Sequence, residues 1–242
     1  MSRTADRRSN DADGDSPLVS CIMPTRGRRA FVARALDYFR RQDWPNLELV
    51  VVDDGLDAVE DLTGADPRIR YHGLRGRHTI GHKRNLACEL ACGSLIAHWD
   101  DDDWYPPWRL RRQVEALHQA GADVCGSSRL YFWEPATDRA WHYHYQGSDP
   151  VLVGTTLLYR KPAWARTRFP DIQIGEDVRF LASLRGARHD LLEPSISVGL
   201  VHSGNTSRKQ TAGRYWTAVA SAEVHRLLGA DTDEYRGGAL PP

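Results

Sequence analysis

The sequence predicts an α/β fold built on a mostly parallel sheet, and three features carry the prediction. Apolar strand-like runs alternate with helical patterns between residues 17 and 121, the signature of right-handed crossover units. Two of the runs, "LELVVVDDG" and "SLIAHW", are apolar without alternation, as strands covered on both faces are. Three polar clusters, "PTRGRR", "DDG" and "DDDD", fall just past the carboxyl ends of strands, where open parallel sheets bind ligands.

Each element has its own signal. "PLVSCIMP" is a strand broken by Pro24, and "RRAFVARALDYFRRQ" carries Phe31, Val32, Ala35, Leu36 and Phe39 at helical spacing. "IRYHGL" is a short strand, and "TIGHKRNLACELACG" a helix closed by Gly93. "SLIAHW" runs into the four acids, after which Pro106 and Pro107 open the helix "WRLRRQVEALHQAG". The second half changes character. "ADVCGSSRLYFWE" and "RAWHYHYQG" read as a hairpin around "PATD", and "VLVGTTLLYRKPAW" as a strand leading into a helix. "GEDVRFLASLRGA" is a helix opened by two acids, and "HDLLEPSISVGLVHSGNTS" holds short strands and a polar loop. "AGRYWTAVASAEVHRLLG" is amphipathic, with Tyr215, Val219, Val224 and Leu227 near one face.

The organisation expected is a disordered tail over 1–16, one domain over 17–230 and a flexible tail over 231–242. Within the domain, the change of character separates 17–121 from 122–230. Formal net charge is zero, so nothing favours nucleic acid or anionic lipid as a bulk partner. No apolar run approaches the ~20 residues that span a bilayer, and no secretory leader is apparent. The expectation is a cytoplasmic protein, with attachment at the inner membrane surface as its variant. Cys21, Cys88, Cys92 and Cys125 fit neither a zinc ribbon nor a disulfide framework and read as buried free thiols, Cys88 and Cys92 sharing a helix face.

The turn after the first strand lacks the dinucleotide glycine pattern, and no phosphate-loop motif is present. Charge for a phosphate ligand must therefore come from elsewhere, and the acid cluster can recruit it as a metal. With strand alternation, Asp100 and Asp102 face one ion together while Asp101 turns aside. Hard oxygen ligands suit Mg²⁺ or Mn²⁺, whereas a helix cap would need only one or two of the four acids. Asp53 and Asp54 end the second strand, where an acid can bind a ribose or a base, or simply make a turn before Gly55. Glu176 and Asp177 open a helix, either as dipole partners or with a general base among them. His202, beside Asn205, can complete a metal shell. Arg208 and Lys209 read as a solvated loop ahead of a diphosphate contact. Lys83 and Arg84 stand at a helix start that attracts anions, or are ordinary surface cations. Trp133, Trp141, Tyr143 and Tyr145 pack a hairpin more naturally than they stack on a sugar.

Taken in order, "SCIMPTRGRRAFVARALDYFRRQDWPNLELVVVDDG", "IGHKRNLACELACGSLIAHWDDDDWYPPWRL" and "GEDVRF" resemble the family 2 glycosyltransferases over about residues 18–205. The resemblance implies the GT-A fold, a nucleotide-sugar donor (a UDP-sugar being the commonest), a divalent metal, Mn²⁺ or Mg²⁺, and inversion at the anomeric carbon. It makes 17–121 the nucleotide-sugar-binding half and 122–230 the acceptor and catalytic-base half, and it places Pro24, Thr25 and Arg26 near the base or ribose, with Asp53 or Asp54 holding the nucleoside. Lys83 stays a donor-side candidate, and Arg84, with Asn85, falls on the donor. Asp102 becomes the main metal ligand, Asp100 and Asp101 face the donor sugar or ribose, and His202 aligns loosely with a metal-binding histidine. In the acidic pair Glu176–Asp177, the second acid is the base. Leu56 after "DDG" and the opening "PTRGR" depart from the family's usual residues without removing a group the chemistry needs. The acceptor stays open: saccharide, lipid carrier, peptide or small molecule. A non-catalytic sugar-nucleotide scaffold and a haloacid-dehalogenase-like phosphohydrolase are the competing readings.

Overall fold

β1 (Val19–Thr25) is an interior strand of a seven-stranded sheet, and its neighbours show why the acids matter. The computed structural model describes residues 16–64, 66–147 and 151–236. β1 is followed by α1 (Arg29–Arg40), β2 (Leu47–Asp53), the short α2 (Glu60–Thr63), β3 (Ile69–Gly73), α3 (Ile80–Leu90), β4 (Leu95–His98) and α4 (Arg109–Gln119). Then come β5 (Val124–Gly126), β6 (Arg129–Glu134), β7 (Arg139–His144), β8 (Leu158–Arg160), α5 (Lys161–Thr167), α6 (Glu176–Ser183), β9 (Arg188–Asp190), β10 (Val198–Leu200), β11 (Trp216–Val219), α7 (Ser221–Leu228) and α8 (Asp231–Arg236).

The large sheet runs β3-β2-β1-β4-β8-β5-β9. β1 pairs in parallel with β2 on one side and β4 on the other, so the chain order reverses across β1. That reversal opens a crevice at the carboxyl ends of β1 and β4. β8 is the antiparallel member, between β4 and β5. β1 continues through Pro24 instead of breaking there. Its pairing with β4 ends at Ile22 and His98, so the missing proline N–H interrupts no ladder.

Alternation along the central strands divides the core. Val19, Cys21 and Met23 of β1 belong to one cluster with Phe31, Val32, Leu36 and Phe39 of α1 and with Leu110, Val114 and Leu117 of α4. Ile22, with Val50 and Val52 of β2, belongs to another with Ala87 and Cys88 of α3 and with Phe169 and Phe180. β2 is buried at every position, as its unbroken apolar run predicts.

A second sheet, β10-β6-β7-β11, rests beside the crevice. The hairpin expected around "PATD" is β6–β7, whereas "ADVCG" before it belongs to the large sheet as β5. Three other expectations are corrected. The amphipathic segment 212–229 is not one unit: Trp216–Val219 adds β11 to the free edge of β7, and the helix begins only at Ser221, burying Val224 and Leu228. Residues 231–236 are not a flexible tail but α8. Tyr235 is buried with its hydroxyl 2.6 Å from that of Tyr38, and Asp231 pairs with Arg41 at 2.8 Å. Residues 237–242, like 1–15, lie outside the described residues. Cys92 is exposed beyond the end of α3, while Cys21, Cys88 and Cys125 are buried thiols.

Candidate active site

The four acids do not continue β4, which ends at His98. They form a turn, so the alternation that would pair Asp100 with Asp102 does not apply, and each carboxylate finds its own environment. Asp100 accepts from Arg84 Nη2 at 2.8 Å, and its backbone N–H donates to the Tyr105 hydroxyl at 2.8 Å. Asp101 accepts from Thr25 Oγ1 at 2.6 Å and from Arg28 Nη1 at 2.8 Å. Asp102 Oδ2 accepts from the same Arg28 Nη1 at 2.9 Å and from Asn205 Nδ2 at 3.3 Å, and lies 3.1 Å from His202 Nε2. Asp103 turns inward and accepts the Leu200 N–H at 3.1 Å.

Burial and neighbours split these carboxyls. Burial alone would raise Asp102, but the His202 bond and the Arg28 charge hold it down at about 2. Burial raises Asp101 to about 6, with Arg28 opposing and Asp102 adding to the shift. Asp103, buried beside Asp102 and Asp100, is pushed up to about 8. Of these three carboxyls, Asp102 is the one whose charged form its neighbours favour.

The Asp102–His202 pair suits a divalent metal. Adjacent ligands of an octahedral ion stand about 3 Å apart, given bonds of ~2.1 Å, and Asp102 Oδ2 and His202 Nε2 are 3.1 Å apart. His202 is clamped by its ring stack on Phe31, with centroids 4.5 Å apart, and by its backbone N–H on Asn205. Among the described residues no third acid, histidine or cysteine joins them. The remaining ligands would be water and phosphate oxygens, the usual arrangement for Mg²⁺.

Across the crevice, α3 and α6 bring Arg84 against the acidic pair. Arg84 Nε donates to Glu176 Oε1 at 3.1 Å while its Nη2 holds Asp100. Its Nη1 is buried with no hydrogen-bond partner among the described residues. Glu176 is buried, and burial raises its carboxyl above the usual range despite Arg84. Asp177, half-buried, makes no ion pair among the described residues, with Arg84 acting on it only at longer range: Oδ1 accepts the Val178 N–H at 2.8 Å, and Oδ2 rests against Gly154. Both acids line a cavity of about 520 Å³ shared with Pro24, Arg28, Arg84 and the four acids of the turn.

Of the nucleoside-side candidates Pro24 lines that cavity, whereas Thr25, Arg26, Asp53, Asp54 and Lys83 lie outside its lining. Asp53 accepts the Gly55 N–H at 2.8 Å and the Tyr71 hydroxyl at 3.2 Å. Asp54 accepts the His78 N–H and the Lys83 ammonium, each at 2.7 Å, and Arg26 donates to the Asp54 carbonyl at 2.7 Å. Lys83 also donates to the Thr25 carbonyl at 2.8 Å, which ties β1 to β2 at their ends. Burial lowers the Lys83 pKa, with Asp54 opposing. Lys83 and Arg84 are therefore buried, not surface cations. Asn85 faces away from the crevice: its amide is used by Trp164 Nε1 and by the backbone of Phe169.

Arg28, Gly154 and Asn205 were not singled out for these roles by sequence reasoning. Only the second arginine of "PTRGRR" could have hinted at Arg28. It holds Asp101, Asp102 and the Gly204 carbonyl together, and these carboxylates keep its guanidinium firmly protonated against the cost of burial.

A crevice at the strand-order reversal of this sheet, with an acidic turn on one wall and an acid-led helix on the other, defines a GT-A glycosyltransferase fold. Residues 20–182 match the family model described as glycosyl transferase family 2, and the chain belongs to that family. It is similar to the succinoglycan biosynthesis protein ExoO of Rhizobium meliloti (strain 1021), 30% identical over 237 residues, which cover 89% of this chain and 64% of ExoO. The chain thus spans less than two thirds of that relative's length. Among solved structures it is similar to S. aureus TarS 1–349 in complex with UDP-GlcNAc, with a TM-score of 0.62, 18% identity, and coverage of 90% of this chain and 70% of that one. The mannosyltransferase PcManGT of Pyrobaculum calidifontis, in complex with GDP-Man and Mn²⁺, superposes with a TM-score of 0.58 at 18% identity, covering 94% of this chain and 66% of that one. The family match displaces the phosphohydrolase alternative.

Proposed function

We propose that the protein transfers a sugar from a nucleoside-diphosphate sugar to an acceptor hydroxyl with inversion, Asp177 acting as general base. The observation that carries this is the division within one cavity: Arg84 makes its ion pairs with Glu176 and Asp100, while Asp177 lines the same space outside any ion pair among the described residues. In the reaction, the acceptor oxygen bonds to the anomeric carbon as its proton passes to Asp177. The bond from that carbon to the diphosphate breaks, and the nucleoside diphosphate leaves with the electron pair. Arg84 and Arg28, which both line the cavity, stabilise the negative charge that develops there. A divalent metal held by Asp102 and His202 would supply further charge neutralisation at the diphosphate. Mn²⁺ beside a nucleotide sugar in PcManGT supports that assignment, and UDP-GlcNAc in TarS makes a UDP-sugar the first donor to try.

A relative named for succinoglycan biosynthesis supports a setting in the cytoplasm or at the membrane surface, and no helix among the described residues is long and apolar enough to cross a membrane. The test is a thermal-shift panel of UDP- and GDP-sugars with and without Mn²⁺, paired with turnover of Asp177→Asn. Stabilisation by a nucleotide sugar that needs the metal, with transfer lost in the variant, is the result expected. A non-catalytic scaffold would bind the donor but show no turnover in the wild type. Undiminished transfer by Asp177→Asn would remove Asp177 as the base.

A further inference from the structure

The wall of the cavity next to Asp177 is aromatic and comes from the second sheet. Phe132 of β6, Tyr143 of β7 and Trp216 of β11 all line it. Trp216 and Tyr143 are register partners across β11 and β7, and Phe132 lies diagonally to Tyr143 on the same face. The ring centroids of Trp216 stand 4.5 Å from Phe132 and 5.2 Å from Tyr143. Gly199, opposite Phe132 in β10, leaves room for the phenyl ring, because a β-carbon there would overlap it.

Trp133, Trp141 and Phe132 are buried, Phe132 in one cluster with Trp141, while Tyr143 and Trp216 cover that cluster from the cavity side. Trp216 and Tyr143 are only half-buried, and neither the indole N–H nor the phenol hydroxyl hydrogen-bonds to the protein among the described residues. An apolar surface edged by two free polar groups suits a ring with a C–H face and hydroxyl edges. Val153 packs in the same cluster as these rings, and its neighbour Gly154 bears the Asp177 carboxylate. A ring on this wall therefore lies beside the base, with the arginines and acids of the donor side across the cavity.

We infer that Phe132, Tyr143 and Trp216 form the acceptor subsite and that it binds a pyranose ring, so the acceptor is the terminal sugar of a glycan or of a glycolipid. The assignment rests on the reading of Asp177 as the base. It excludes a peptide side chain as the group that receives the sugar.

Saturation-transfer NMR tests it without turnover. The probes are methyl and octyl pyranosides of glucose, galactose, mannose and N-acetylglucosamine, each with UDP or GDP and Mn²⁺. Irradiation of the aromatic protons should saturate the ring C–H protons of at least one methyl pyranoside. The signal should fall at least fivefold in Trp216→Ala and in Tyr143→Ala and persist in Trp216→Phe. A gain confined to the octyl chain, with Ile174 and Val178 exposed at the cavity mouth, would mark a glycolipid, and equal signals a free glycan. No ring saturation from any probe, or full signal in both alanine variants, overturns the subsite. Failure of the donor reading is separate: it appears as absence of any nucleotide-dependent thermal shift, whatever the pyranosides do.

Discussion

Gly154 lies directly against the carboxylate of Asp177, so close that a β-carbon at 154 would overlap Oδ2. The glycine is needed for close approach, not for its own backbone angles. Gly154→Ala should therefore push Asp177 out of line and leave the donor side intact. We expect kcat to fall by about 10²-fold, the lower end for general-base loss, with little change in donor KM. Steady-state kinetics with donor and acceptor varied separately check this, and a variant with normal kcat would show that Asp177 needs no such seat.

Arg28 occupies the position of a counter-ion, bridging Asp101 and Asp102 with only 20% of its side chain exposed. Removing it takes away the guanidinium that two adjacent buried carboxylates share, a loss of about 3 kcal/mol. Arg28→Ala should melt lower than wild type in EDTA, recover in part with Mn²⁺, and bind Mn²⁺ more tightly in an EPR titration. Unchanged Mn²⁺ affinity would show that the arginine and the metal do not share Asp102.

The C-terminal helix reaches the acid turn through one side chain. Asp231 Oδ2 accepts from Trp104 Nε1 at 2.7 Å, next in sequence to the four acids, and pairs with Arg41. Asp231→Ala strands a buried indole N–H, which costs about 2 kcal/mol. A lowered urea midpoint together with a shifted tryptophan emission is the expected result. Unchanged stability would mean that α8 is not a support for the turn.

Glu48 gives a pH dependence of stability. Burial opposes its charge, but bonds from Ser20, the Cys92 N–H and Arg70 outweigh it and lower the pKa below the ordinary 4.5. Just below that value the unfolded chain binds more protons than the native one, so stability rises with pH there. The stabilisation is complete above the unfolded pKa and disappears as pH falls through the lower native value. Wild type should exceed Glu48→Gln in urea midpoint at pH 7, and the two should converge between pH 5 and about 3. Parallel curves over that range would contradict the shift.

The central half of the fold was legible because its signals are local. β2 is apolar at nearly every position and proved buried throughout; α1 repeats its apolar residues with helical period and buries that stripe. The later segment 212–229 misled, since its apolar spacing suits a helix and the edge of β7 claimed its first part as a strand. Of the site, the acids, Arg84 and His202 were visible as residue types at strand and helix ends. The grouping of Asp100 with Asp102 was not, because alternation holds only while the chain stays extended, and β4 stops at His98.

By itself the sequence determined the α/β class, the placement of acids at the crevice and the family resemblance. Each follows from residue patterns within a dozen positions or from the order of short motifs. Only the tertiary structure decided that Arg28 sits on Asp102, 74 residues away, that His202 meets the same carboxylate across 100 residues, and that Trp216 lines one cavity with Asp177. Local periodicity encodes which face of an element is buried. Which elements then meet is set by packing, and the site is made where they meet.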